Sequence, residues 1–303
     1  MIQAEGKCMI RLAHLSDIHL FCPKARWRRS DWFNKRFTGW LNLRLLGRAA
    51  RFRHAALVLR ALADDIYERR ADCILFTGDA TALGFEQELA EAAKIMRVGS
   101  SGGLPGLAVP GNHDYYTRAV EAAGRFEHYF APWQIGVRVD EAVYPFAQRV
   151  GPVWLVGVNT ARGSFWTWDA SGAVEAAQLD RLGRLLERLE PGPRILVTHY
   201  PLCTASGRRE RRSHGLRNAA DLVAVAARGG VSLWLHGHRH SSYCLTRPPQ
   251  APFPVICAGS ATQEGRWSYG EYTITGRQLQ ATRRIFTAAG GFDEGESFTL
   301  ELP

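Results

Sequence analysis

The chain reads as an α/β protein whose sheet is largely parallel and assembled from βαβ units. Three observations predict this class. Short apolar runs alternate with longer stretches in which apolar residues recur at helical spacing. The polar residues with chemical potential lie at the ends of the apolar runs rather than inside them, where parallel sheets gather ligands. Hydrophobic residues make up 46% of the 303, ample for a buried core and incompatible with global disorder.

In order, Ile10-Arg11-Leu12-Ala13-His14-Leu15 alternates as a first strand and ends at Ser16-Asp17-Ile18-His19. Trp27 to Phe52 places Phe33, Phe37, Trp40, Leu41 and Leu45 at helical spacing, with Lys35, Arg36, Arg44, Arg48 and Arg51 between them. That predicts one or two basic amphipathic helices. His54 to Arg69 is a helix whose apolar face includes Leu57, Ala61 and Ile66. Asp72 to Thr77 is a buried strand ending at Gly78-Asp79, Phe85 to Val98 a helix, and Leu107-Ala108-Val109-Pro110 a strand end leading to Gly111-Asn112-His113-Asp114. The pattern then repeats. Val153 to Val158 is a strand ending at Asn159-Thr160, and Ala176 to Leu189 is a helix stopped by Pro191-Gly192-Pro193. Arg194 to Thr198 is a strand ending at His199-Tyr200-Pro201, and Ala219 to Ala227 is a helix. Val231 to Leu235 is a strand ending at His236-Gly237-His238-Arg239-His240. From Phe253 to Phe286 the chain reads as antiparallel strands with a turn at Thr275-Gly276. One domain over 1–303 is expected, with a basic aromatic insertion at 23–53 and the antiparallel tail at 253–286.

No apolar run approaches the ~20 residues of a membrane span. Met1 to Lys7 is too short and polar for a signal peptide, and Met9 just before the first strand makes the first eight residues candidates for dispensability. Cys8, Cys22, Cys73, Cys203, Cys244 and Cys257 form no CxxC pair, so reduced, mostly buried thiols in a cytoplasmic protein are expected. The net charge of +9 is uneven: Pro23 to His54 carries +9 and Gly207 to Arg217 carries +4, leaving the remainder at −4. For the first segment three roles stay open: a hairpin packed on its own domain, a lid over a substrate, or peripheral contact with an anionic membrane. Arg208 to Arg212 reads as a solvated loop, and nucleic acid is not expected as a partner.

Five strand ends supply Asp17 and His19, Asp79, Asn112 and His113, His199, and His238 with His240. Each fragment alone is ordinary turn chemistry. Together they offer nitrogen and oxygen ligands for two divalent metals ~3.5–4 Å apart, which clamp a phosphate and lower the pKa of a bridging water toward ~7. Two cations that close need a carboxylate between them. Mixed imidazole and carboxylate donors suit Mn, Fe, Zn or Co. His14 and His236 lie on apolar runs and read as hydrogen-bonded core histidines, and Cys22 and Cys203 as packing residues. Arg239 has two readings, a phosphate contact or a solvent-facing side chain.

This ordered set, D-x-H, GD, GNH(D/E), a lone H and GHxH between Leu12 and His240, resembles the calcineurin-like metallophosphoesterase superfamily. The tail around Ala258-Gly259-Ser260 is also similar to family sequences. The resemblance implies two mixed β-sheets sandwiched between helices. It implies that Asp17, His19 and His240 hold one metal, that Asn112, His199 and His238 hold the other, and that Asp79 bridges them. His113 would protonate the leaving oxygen or bind the transition-state phosphate. Apart from the resemblance, Asn112 and Arg239 are candidate substrate contacts. The phosphoprotein-phosphatase branch carries an acid shortly after its GD, and Asp79 to Gly84 has none. Asp114 is left either to orient His113 or to be an exposed turn carboxylate. The lipid A pyrophosphatase branch carries arginine where this chain has His113. The layout is most similar to the bacterial branch of class III cyclic-nucleotide phosphodiesterases, with a longer gap between the first two motifs. The expected activity is hydrolysis of a small phosphodiester by metal-bridging hydroxide. The alternative is hydrolysis of a lipid-linked phosphate or pyrophosphate at a membrane surface.

Overall fold

A computed structural model describes residues 9–45 and 47–303. The strands, numbered in chain order, are β1 (Met9–Leu15), β2 (Cys73–Phe76), β3 (Gly106–Ala108), β4 (Phe146–Val150), β5 (Val153–Gly157), β6 (Arg194–Val197), β7 (Val231–His236), β8 (Tyr243–Leu245), β9 (Val255–Cys257), β10 (Ser268–Thr275), β11 (Gln278–Phe286) and β12 (Phe292–Glu301).

Alternate residues of the early strands enter two different cores, because successive strand side chains point to opposite faces. Leu12, Leu75 and Leu107 meet Leu155, Val197 and Leu235 across the gap between two sheets. Their neighbours Ala13, Leu15, Ile74 and Phe76 turn outward into a second core with Val58, Leu59 and Leu62 of the helix Ala55–Glu68. On the far side, Leu196 and Trp234 join the same kind of outer core with Leu182, Leu185 and Leu186 of the helix Ala176–Arg188. Burial on both faces is why these strands are continuous apolar runs. The result is two mixed β-sheets between helices, an α/β arrangement.

One sheet has the order β12-β11-β10-β1-β2-β3 and the other β4-β5-β6-β7-β9-β8. Strands β1, β2 and β3 are parallel, and so are β5, β6, β7 and β9. Antiparallel strands complete both sheets. The parallel parts put the carboxyl ends of β1, β2, β3, β6 and β7 along one edge, and the candidate residues follow directly.

Several sequence expectations change. In the tail, β10, β11 and β12 form an antiparallel meander turning at Gly276, but β9 leaves it to pair parallel with β7 in the other sheet. Strand β12 lies wholly beyond the expected limit of 286 and was not anticipated. Helix Ala55–Glu68 buries Ala55, Val58, Leu59, Leu62 and Ile66, a register that turns Leu57 outward. The basic segment forms helices at Lys35–Leu45 and Arg48–Arg51 after a 3₁₀ turn at Arg29–Phe33, but its polarity is inverted. Asp31, Lys35 and Arg36 are buried, whereas Phe33 and Leu45 are 91% and 75% exposed. The cause is tertiary: Arg36 binds Asp31 at 2.6 Å and the carbonyls of Leu83 and Gly84, so these charges are satisfied inside. Leu43 is the segment's buried anchor, in a small cluster with Leu83, Phe85 and Tyr116. The described cysteines are free thiols. No helix among the described residues is long and apolar enough to cross a membrane. The first eight residues, including Cys8, lie outside those described.

Leu59→Ala should destabilise the protein by about 2–5 kcal/mol in urea unfolding, and Leu57→Ala by less than about 0.5 kcal/mol. Equal losses would contradict the helix register.

Candidate metal centre

The five loops are drawn together by backbone hydrogen bonds between them. Asp17 N donates to Gly78 O and His19 N to Asp79 O, both at 2.9 Å, and Gly237 N donates to His199 O at 3.1 Å. Asp17, His19, Asp79, His238 and His240 all have φ between 49° and 68°, a left-handed conformation uncommon outside glycine. Each such residue stores strain that persists only where the surroundings over-determine it. Gly111 follows from the same crowding, since a Cβ there would lie 2.1 Å from Asp79 Oδ1.

The side chains fall into two donor groups sharing one atom. In the first, His240 Nε2 lies 3.2 Å from Asp17 Oδ1 and 3.1 Å from His19 Nε2. In the second, Asn112 Oδ1 lies 3.2 Å from His199 Nε2 and 3.0 Å from His238 Nδ1. Asp79 Oδ2 stands between them, 3.6 Å from His19 Nε2 and 3.5 Å from His199 Nε2. Its other oxygen accepts from His113 N at 2.7 Å, which fixes the carboxylate plane.

Outer hydrogen bonds set which nitrogen faces inward. His19 Nδ1 donates to Thr81 O, His199 Nδ1 to Thr77 O, His240 Nδ1 to Gln263 Oε1, and His238 Nε2 to His214 O. In each ring the remaining nitrogen presents a lone pair to the cluster, the usual support for a ligating histidine. Burial holds His19 down to about 3 and keeps His199 and His238 below the ordinary imidazole value, so these rings are neutral. Burial also lowers His240, but the charge and hydrogen bond of Asp17 together with the Gln263 hydrogen bond outweigh it and the net shift is upward. Asp17 Oδ1 is buried without a hydrogen-bond donor. Burial, then the charge of Asp17, pushes Asp79 up to about 8. Converging lone pairs, an orphaned carboxylate oxygen and two carboxylates that resist joint ionisation fit divalent cations. Asp17 with His19 and His240, and Asp17 with Asp79 and His199, each bring ligand atoms within 4.8 Å of one another.

His113 lies beside the cluster, its ring 4.6 Å from that of His19. Nδ1 donates to Ala82 O at 2.8 Å, and Nε2 accepts from Arg48 Nη2 at 2.9 Å. Burial and then Arg48 hold this imidazole well below its ordinary pKa. Asp114 neither orients His113 nor faces solvent. It is buried and accepts from the backbone N–H groups of Asp79, Gly111 and Thr81, tying two candidate loops together. Arg239 is engaged by Glu210 at 2.5 Å. His14 and His236 are buried core histidines bonded to Tyr272 and Thr77, and to Gly237 O. Sequence reasoning missed Arg48, Phe52, Gln263 and the His214 carbonyl. Phe52 sets its ring 4.8 Å from that of His19. For Arg48 and Phe52 the signal was the basic aromatic segment itself. For Gln263 it was the tail near Ser260, whose hydroxyl donates to Asp17 O at 2.7 Å.

The chain belongs to the calcineurin-like phosphoesterases, whose family model matches residues 10–242. Membership implies a metal-dependent phosphoester hydrolase with a dinuclear centre. Among solved structures it is similar to a dimetal phosphatase from Danio rerio (14% identity, 97% of this chain and 99% of that one, TM-score 0.66). It is also similar to the purple acid phosphatase PPD1 from yellow lupin seeds (13% identity, 97% and 54%, TM-score 0.59). A third is GAP50, the anchor in the inner membrane complex of Plasmodium (12% identity, 98% and 90%, TM-score 0.54). At these identities the likeness is one of fold.

Burial also raises Asp114 and Glu88 to about 7 each. Carboxyls with raised folded-state pKa values contribute stability that is present at low pH and lost as pH rises through those values. Burial also lowers His14, His19, His113, His199, His236 and His238, and the stability these neutral imidazoles contribute is lost as pH falls below their ordinary value of 6.5. Thermal melting of chelator-treated protein should therefore decline on both sides of about pH 6.5, toward acid as the unfolded imidazoles take up protons and toward about pH 8 as the buried carboxyls lose theirs, and divalent metal should flatten the alkaline fall by compensating Asp79. A metal-free melting temperature that keeps rising from about pH 7 to 8 would contradict this assignment.

Proposed function

We propose that the protein hydrolyses a small phosphodiester at a two-metal centre, and that Asp79 is the shared ligand. One observation carries this: Asp79 Oδ2 stands at nearly equal distance from His19 Nε2 and His199 Nε2, which belong to separate donor groups. On this reading Asp17, His19 and His240 hold one ion, Asn112, His199 and His238 hold the other, and Mn, Fe, Zn or Co suits the donors. Such a pair supplies a nucleophile at neutral pH and neutralises phosphate charge.

The protein's own groups do the rest. Asn112 and His113 face the phosphate, and Arg48 adds a cation reaching in from the basic segment. With Nδ1–H committed to Ala82 O, only Nε2 of His113 can pass a proton to the leaving oxygen. Without substrate that nitrogen accepts from Arg48. A phosphate anion binding the guanidinium would release it and favour its protonation. Arg239, tied to Glu210, has no part in this reading. Diesters are preferred because the motif layout resembles the phosphodiesterase branch, and the absence of an acid in the five residues after Asp79 counts against a protein phosphatase. The segment 23–53 acts as a lid on this reading, since Arg48 and Phe52 reach His113 and His19. A second substrate class, a lipid-linked phosphate or pyrophosphate, is supported by the exposed aromatic face of that lid. Activity with Mn²⁺ on phosphomonoesters, cyclic nucleotides, aryl diesters and nucleotide-linked lipids decides between the classes.

Asp79→Ala should lose both ions and nearly all activity, and Asn112→Ala should mainly weaken one site. Two metals retained in Asp79→Ala by elemental analysis would sink the bridging role. His113→Ala should lower turnover by ~10²–10⁴ with metal content intact, and less on nitrophenyl esters, whose leaving group needs little protonation. An equal loss on good and poor leaving groups would make His113 a phosphate-binding residue instead.

A further inference from the structure

The lid's outward aromatic face continues onto a second, distant segment. Trp32 and Phe33 border a groove of about 500 Å³ whose other wall is Phe165, Trp166 and Trp168. All five are exposed: Trp32 49%, Phe33 91%, Phe165 71%, Trp166 53% and Trp168 65%. Trp166 and Trp168 stack with ring centroids 4.8 Å apart, and Lys35 Nζ donates to Asp169 O at 3.2 Å, holding the two walls together. Contiguous exposed aromatics of this size mark an interaction surface.

We propose that this two-segment aromatic surface docks the protein on the interface of an anionic lipid bilayer. Charge selects that occupant. Lys24, Arg26, Arg28, Arg29 and Arg44 are exposed in the same segment, and Arg118 is exposed at the groove. The only acid from Pro23 to His54 is Asp31, which is buried against Arg36. The exposed surface of the segment thus offers cations and aromatic rings without a carboxylate. That composition suits a headgroup layer, where basic residues meet anionic lipid and Trp and Phe enter the acyl boundary. Phe33, almost wholly exposed, suits a deformable lipid phase better than a rigid protein pocket. The inference goes beyond the phosphodiester reading, because docking does not require the substrate to be a lipid.

The test is co-sedimentation of the full chain with vesicles of phosphatidylcholine and phosphatidylglycerol, against phosphatidylcholine alone, at low and high salt. The wild type should bind the anionic vesicles in a salt-sensitive manner. The triple variant Phe33→Ala, Trp166→Ala, Trp168→Ala should bind ~10-fold or more weakly. Arg28→Glu with Arg29→Glu should weaken binding to anionic vesicles while leaving the residual affinity for neutral ones unchanged. Wild-type protein remaining in the supernatant at low salt would overturn the proposal, as would undiminished binding by the triple variant. It would equally be overturned if sedimentation velocity showed a dimer that the triple variant loses while vesicle binding stays unchanged. Metal content by elemental analysis and the circular dichroism spectrum are followed on each variant and should match wild type, showing that the surface and not the fold or the metal centre was altered. A wild type inactive on every phosphoester, yet bound to vesicles, would remove the proposed activity and leave the docking surface standing.

Discussion

Asp79 and its neighbours concentrate more negative charge and more lone pairs than a dry interior can hold unaided. Two carboxylates, one amide oxygen and four imidazoles converge with their acceptor atoms inward, and every outward ring nitrogen is already donating. In the metal-free protein the conflict is relieved by protons, which is why Asp79 is pushed up to about 8. Divalent cations relieve it more completely. The rest of the fold can be understood as what is needed to hold these atoms inward despite their repulsion.

Two features provide that hold. The sheets meet through Leu, Val and Ile side chains on their inner faces, so the carboxyl edges of β1, β2 and β3 are fixed against those of β6 and β7. Above that edge the loops are tied by backbone hydrogen bonds and by Asp114, whose carboxylate gathers three N–H groups from the Asp79 and Gly111 loops. Five of the clustered side chains then sit on left-handed backbone. Such a conformation costs each residue of order 1 kcal/mol or more, and the surrounding bonds supply the compensation. Thr117 caps the helix that follows His113 by accepting from Val120 N, which ends the strained stretch in regular structure.

The sequence was most readable where one physical demand determined the residue type. Strands buried on both faces must be apolar throughout, so most of the parallel strands were visible as runs, whereas β4, with one exposed flank, and the three-residue β8 were not. The donor residues were visible because their types and order are unusual as a set. What pairing each would make was not, since the His113 N–H that holds Oδ1 of Asp79 leaves its Oδ2 facing the cluster, and the His214 carbonyl that takes Nε2 of His238 leaves its Nδ1. The basic segment misled for a specific reason. Helical periodicity identifies an apolar face, but burial of Lys35 and Arg36 depends on Asp31, Leu83 O, Gly84 O and Asp169 O, and three of those four partners are distant in sequence. The same distance hid the contact between Arg48 and His113.

The central claim of the proposed function is that Asp79, standing between the two donor groups, would be a ligand common to two cations. Electron paramagnetic resonance of the Mn²⁺-loaded protein tests it directly. The account predicts two Mn²⁺ per chain and a multiline spectrum from an exchange-coupled pair, because the ions share Asp79. A single Mn²⁺ per chain, or two that give only the six-line signal of isolated ions, would contradict it.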